Sequence, residues 1–89
     1  MKILCVCGLG QGTSLILRMN VETVLQTMGV TADVEHTDVS TASSMSADYI
    51  VTNSELAQSL QAHDATIILV ENYFDNAEIQ QALEKHIQA

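Results

Sequence analysis

The chain has 89 residues, 47% of them hydrophobic, which suffices for one modest core without disulfides or a structural metal. Three Lys plus Arg against eleven Asp plus Glu give a net charge of −8, a field that repels nucleic-acid backbones and acidic membrane surfaces. No stretch approaches the roughly 20 apolar residues of a membrane span, and the opening Met-Lys-Ile-Leu-Cys-Val-Cys does not resemble a cleavable signal. The expectation is one cytoplasmic domain over residues 1–89, with Cys5 and Cys7 as free thiols.

Lys2 to Val6 is a continuous apolar run ending in glycines, as in a strand buried on both faces of a parallel sheet. Thr13 or Ser14 is placed to cap a helix with apolar positions Leu15, Ile16, Met19, Val24, Leu25 and Met28, and Gly29 is its stop signal. Thr31 to His36 reads as a second, less hydrophobic edge strand, and Ser-rich Asp38 to Ala47 as a loop or short helix. Asp48 to Thr52 predicts a third strand, and Ser54 caps a short helix through about Ala62, with Leu56, Ala57 and Leu60 facing inward. Ala65 to Val70 predicts a fourth buried strand. Asp75 and Glu78 form a capping pair for a last helix with Ile79, Leu83 and Ile87 on one face.

Strands and helices that alternate with short connections imply right-handed crossovers. The predicted fold class is α/β: three layers, with a four-stranded parallel sheet of order 2-1-3-4 and helices on both faces. Ligands of such sheets sit beyond the carboxyl ends of the strands at the switch point, where Cys7 emerges. Thr52, Asn53, Glu71 and Asn72 end on the same rim.

The segment Cys7-Gly8-Leu9-Gly10-Gln11-Gly12-Thr13-Ser14 puts a thiol at a strand end, three glycines in a tight loop and hydroxyls near a helix start. Glycines let successive amides converge, and a helix N-terminus adds partial positive charge, so an oxyanion fits there without a basic patch. The same donors favour a thiolate at Cys7, a better nucleophile and a better leaving group than a serine alkoxide. In-line phosphoryl transfer needs chiefly positioning and charge stabilisation, which an amide cradle supplies without metal or cofactor. A plainer alternative is a glycine turn joining strand to helix, with Cys7 as a small core residue.

Cys-Gly-Leu-Gly-Gln-Gly-Thr-Ser after Lys-Ile-Leu-Cys-Val resembles the phosphocysteine loop of IIB components of the sugar phosphotransferase system, most nearly the ascorbate type. The resemblance implies that Cys7 accepts a phosphoryl group from a phospho-histidine of a IIA partner. It would then pass the group to a sugar, ascorbate or a related sugar acid, bound by the membrane permease IIC. The loop is also similar to the Cys-x5-Arg loop of low-molecular-weight tyrosine phosphatases. Thr13 occupies the arginine position, however, and the chain has no proline for their Asp-Pro acid loop. Carrying therefore fits better than hydrolysis. A phosphate-sensing regulatory module remains the non-enzymatic alternative.

The other candidates have ordinary explanations. Cys5 reads as core, lacking a Cys-x-x-Cys partner. His36, His63 and His86 show no i, i+4 pair for a metal. Lys85 and His86 complement a helix C-terminus, and His63 is expected in a solvated loop. Arg18, the single arginine, is placed either to touch phosphate or an acidic partner or to lie in solvent. The glycines at 8, 10 and 12 do not match the Gly-x-Gly-x-x-Gly spacing of dinucleotide folds. Glu71 ends a buried strand near the loop and is the acidic residue to test.

Overall fold

The computed structural model describes residues 1–7 and 10–87, the side chains of residues 10–14 excepted. Four strands, β1 (Lys2–Val6), β2 (Asp33–Thr37), β3 (Tyr49–Thr52) and β4 (Thr66–Leu69), form one parallel sheet of order β2-β1-β3-β4. Helices α1 (Gly10–Met28), α2 (Val39–Ala42), α3 (Ser54–Ala57) and α4 (Asn76–His86) connect or follow them, with a 3-10 turn at Gln58–Leu60.

The alternation of side chains along each strand divides the core in two. Ile3, Cys5, Val51 and Ile68 pack against Leu17, Val21, Val24 and Leu25 of α1 and Ile79, Ala82 and Leu83 of α4. Leu4, Val6 and Ile50 point the other way, onto Ala42 of α2 and Leu60 of the 3-10 turn. Ile3 to Val6 are fully buried, which is why β1 is apolar at each position after Lys2. The three-layer architecture and strand order are those expected. A slip of one residue in β1 would exchange its two faces; Leu4↔Ile50 and Cys5↔Val51 fix the register.

Helix α1 starts at Gly10, inside the glycine segment, rather than behind a Thr13 or Ser14 cap. Leu17, Val21, Val24 and Leu25 are its buried stripe, and docking that stripe on the sheet outweighs the poor helix propensity of Gly10 and Gly12. Leu15, Ile16 and Met19, three of the apolar positions at near-helical spacing, lie on the other face and are exposed. The helix ends as foreseen. Gly29 adopts φ +76°, and the Val30 amide returns to the Leu25 carbonyl at 2.9 Å.

Three local expectations give way to neighbouring side chains. Asn53 rather than Ser54 caps α3, its Oδ1 accepting from the Leu56 amide at 2.8 Å. Asp75 caps α4, but the Glu78 carboxylate does not reach back to it; Glu78 accepts from the Glu71 amide at 2.6 Å and the Asn72 amide at 3.3 Å. Strand β4 is a sheet edge buried mainly through Ile68, and Leu69 is half exposed because the short α3 and 3-10 segments do not cover it.

Candidate functional site

Cys7 is the residue after β1, at the point where the chain turns into α1 while β2 and β3 flank β1 on either side. That is the switch point of the sheet. Its side chain shares the α1/α4 face with Cys5 and is 7% exposed. Only two residues separate Cys7 from the first residue of α1. The first-turn amides of α1, without acceptors inside the helix, start directly beyond it. Gly8 and Leu9 lie outside the described residues, as do the side chains of Gly10, Gln11, Gly12, Thr13 and Ser14, so the loop's shape and its hydroxyl donors stay sequence expectations.

Cys5 has no exposed surface, and burial, with a smaller contribution from the Glu22 charge, pushes its thiol up to about 12. It is a core residue, as read from the strand pattern.

The rim around Cys7 is built by the ends of β3 and β4. Thr52, the buried polar residue of β3, donates its hydroxyl to the Val6 carbonyl at 3.1 Å, fixing the backbone immediately before Cys7. The Val70 amide bonds the Thr52 carbonyl at 2.8 Å, carrying the register of β4 to the same level. Glu71, singled out from the sequence, is exposed; its carboxylate accepts from the Ser54 amide at 3.1 Å and holds the start of α3.

Tyr73 is the rim residue that sequence reasoning missed. It is buried in the same cluster as Cys7, and Asn20 of α1 donates to its backbone carbonyl at 2.8 Å. Burial pushes its phenol up, and the charge of a Cys7 thiolate adds to the rise; Thr52 and Asn53 beside the hydroxyl offset part of it. The Thr52 hydroxyl donates to the Val6 carbonyl and the Asn53 oxygen accepts from the Leu56 amide; the Tyr73 hydroxyl makes no hydrogen bond of good geometry among the described residues. The available signal was a tyrosine two residues beyond Glu71, on the rim already identified.

Lys2 and Arg18 are engaged elsewhere. Lys2 Nζ lies 2.6 Å from Glu35, whose hydrogen bond raises the pKa of the ammonium and lowers that of the carboxyl. Arg18 turns to Glu22 at 3.6 Å and to His36 Nδ1 at 3.2 Å, where the imidazole nitrogen must accept. Lys85 and His86 occupy the last turn of α4. His63 is not simply solvated: it is half-buried, with Nδ1 accepting from the Ala65 amide at 3.0 Å and Nε2 donating to the Met45 carbonyl at 2.7 Å. Among the described residues no cluster of three His, Cys, Asp or Glu side chains is arranged for a metal. No helix among them is long and apolar enough to cross a membrane.

Such a sheet, with a thiol leaving its first strand at the switch point, suits a phosphotransferase subunit, and sequence comparison identifies which. The chain belongs to the family described as PTS system, Lactose/Cellobiose specific IIB subunit, whose model matches residues 2–85. It is 35% identical over 88 residues to the ascorbate-specific PTS system EIIB component of Mycoplasma pneumoniae, a match covering 96% of this chain and 93% of that protein. The lactose-specific IIB component domain of the Streptococcus pneumoniae phosphotransferase system shares its fold, with a TM-score of 0.69 over 99% of this chain and 98% of that one at 16% identity. The chain is thus a IIB component in sugar phosphotransfer, a class that works with IIA and IIC partners.

Proposed function

We propose that this IIB component carries its phosphoryl group on Cys7. The group arrives from a phospho-histidine of a IIA protein and leaves to a sugar, ascorbate or a related sugar acid, held by a IIC permease at the cytoplasmic side of the membrane. One observation carries the reading: Cys7 stands at the carboxyl end of β1, at the switch point, with the N-terminus of α1 starting at Gly10. The residues proposed to hold the phosphoryl oxygens are the loop Gly8, Leu9, Gly10, Gln11, Gly12, Thr13 and Ser14.

In loading, the sulfur lone pair attacks phosphorus in line as the N–P bond breaks, its electron pair returning to the imidazole. In unloading, the S–P pair returns to sulfur as thiolate while a sugar hydroxyl takes the phosphoryl group and gives up its proton to a base on the acceptor side. Both directions need a stabilised thiolate and neutralised equatorial oxygens. In a chain of charge −8 whose Lys2 and Arg18 are engaged elsewhere, backbone dipoles are the source of this stabilisation. Thr13 at the arginine position of the related phosphatase loop disfavours hydrolysis, as a carrier requires.

The name of the Mycoplasma pneumoniae relative supports the ascorbate assignment. Leu15, Ile16 and Met19 on the first half of α1 and Phe74 in the β4–α4 connection are exposed large apolar side chains, which supports a protein partner on this side. The test is intact mass of wild type and Cys7→Ser after incubation with phosphoenolpyruvate, the general phosphotransferase proteins and candidate IIA partners. A single phosphoryl adduct on wild type, absent from Cys7→Ser, is expected. No adduct despite a phosphorylated IIA would overturn the assignment.

A further inference from the structure

A buried hydroxyl without a partner loses hydrogen bonds to water and gains none, a cost of about 1–3 kcal/mol. Tyr73 is in that position: its side chain is 7% exposed and its oxygen has no hydrogen bond among the described residues. A phenylalanine would fill the same space without the cost. The orphaned group also sits at the carboxyl rim of the sheet, in the apolar cluster that contains Cys7. Loose placement does not account for it, because Asn20 clamps its carbonyl from α1 and Glu78 holds the amides of Glu71 and Asn72 just before it.

Two relationships bear on what the hydroxyl can meet. Tyr73 and Cys7 are buried in one cluster at the carboxyl rim of the sheet, and the charge of a Cys7 thiolate adds to the rise of the phenol. Yet the hydroxyl is not bonded to the sulfur. A group bonded to Cys7 and extending beyond Sγ by one S–P and one P–O bond would bring an anionic oxygen toward the unused donor. Raised by burial, the phenol stays protonated at neutral pH and keeps its hydrogen to donate.

We propose that the Tyr73 hydroxyl donates a hydrogen bond to a phosphoryl oxygen of the group carried on Cys7. The proposal rests on Cys7 as the phosphoryl carrier. It gives the loaded state a side-chain donor from the β4–α4 connection in addition to the α1 amides. The proton stays on the phenol throughout, so the contact favours the loaded form without supplying a route to hydrolysis.

The test compares wild type with Tyr73→Phe in two ways. Equilibrium loading of Cys7 by phosphorylated IIA, read by intact mass, is expected to fall about tenfold, as for loss of one hydrogen bond to a charged group; the phosphocysteine 31P resonance should shift. Binding of inorganic phosphate to the unloaded protein should weaken by a similar factor, while the unloaded variant melts at the same temperature or higher. Equal loading and an unchanged 31P resonance in the two proteins would overturn the Tyr73 contact and leave the carrier assignment standing. Wild type that never loads, with phosphate binding still weakened about tenfold in Tyr73→Phe, would sustain the contact to phosphate and overturn the carrier assignment. Wild type that neither loads nor binds phosphate would overturn both.

Discussion

Thr52 donates its buried hydroxyl to the Val6 carbonyl at 3.1 Å, tying the end of β3 to the residue before Cys7. Thr52→Val keeps the shape but leaves that carbonyl short of a partner. We expect a loss of about 1–2 kcal/mol in urea unfolding and slower loading of Cys7, whereas Thr52→Ser, which restores the donor, should recover most of both. Unchanged unfolding in Thr52→Val would mean that the bond contributes nothing.

Glu78 positions the connection that carries Tyr73, accepting from the Glu71 and Asn72 amides. Glu78→Ala should destabilise by about 1.5–3 kcal/mol, the range for hydrogen bonds to a charged group. Hydrogen exchange at the amides of Glu71 and Asn72 should rise with it. The same substitution at Glu84, exposed on α4, should change neither.

Cys5 makes the stability of the protein fall in alkali. Its thiol ionises near 9.0 when unfolded but only at about 12 in the fold. Below 9.0 both states hold the proton. Between the two values the unfolded chain loses it while the native core does not, so stability declines as pH rises. Tyr73, also raised by burial, adds a decline of the same sign above its unfolded pKa of 10.0. Urea midpoints from pH 8 to 11 should fall for wild type and fall less steeply for Cys5→Ala. At pH 8, iodoacetamide should modify Cys5 only after denaturation.

Gly29 closes α1 in the left-handed region, φ +76°, and a Cβ there would meet no atom within 4 Å. The cost of Gly29→Ala is therefore conformational, about 1 kcal/mol. Gly29→Asn should cost less, because asparagine tolerates this backbone better. Thermal melts of the two variants check the order; equal losses would point to something other than backbone strain.

Asp38 caps α2 through the Thr41 amide at 2.7 Å, and that hydrogen bond lowers the pKa of its carboxyl. The cap is complete above the unfolded value of 3.8 and is lost as pH falls through the lower, folded one. Asp38→Asn should keep a cap but remove this part of the acid sensitivity, measurable as a shallower fall in stability from pH 5 to pH 2.

Much of the architecture was legible because burial writes itself into strand composition. Lys2–Val6 reads as a two-faced strand from Ile-Leu-Cys-Val alone, and the turn signals Gly29 and Asp75 stand where the helices end and begin. What failed were choices between near neighbours. Asn53 or Ser54, and Glu78 toward its own helix or toward the preceding loop, depend on which amide lies closest once the strands have registered. The spacing of Leu15, Ile16 and Met19 did not tell which stripe of α1 is buried, because an apolar residue at helical spacing is compatible with either of two overlapping stripes.

The sequence by itself determined the α/β order, the identity of the thiol at the first strand's end and the glycines after it, since these follow from local hydrophobicity, spacing and backbone permissiveness. Only the tertiary structure decided that Tyr73 belongs beside Cys7. The two are far apart in the chain but are buried in one cluster on the α1/α4 face of a parallel sheet whose order brings the ends of β1, β3 and β4 to one rim. No local pattern encodes that proximity, because strand pairing and the Asn20 clamp from α1 create it.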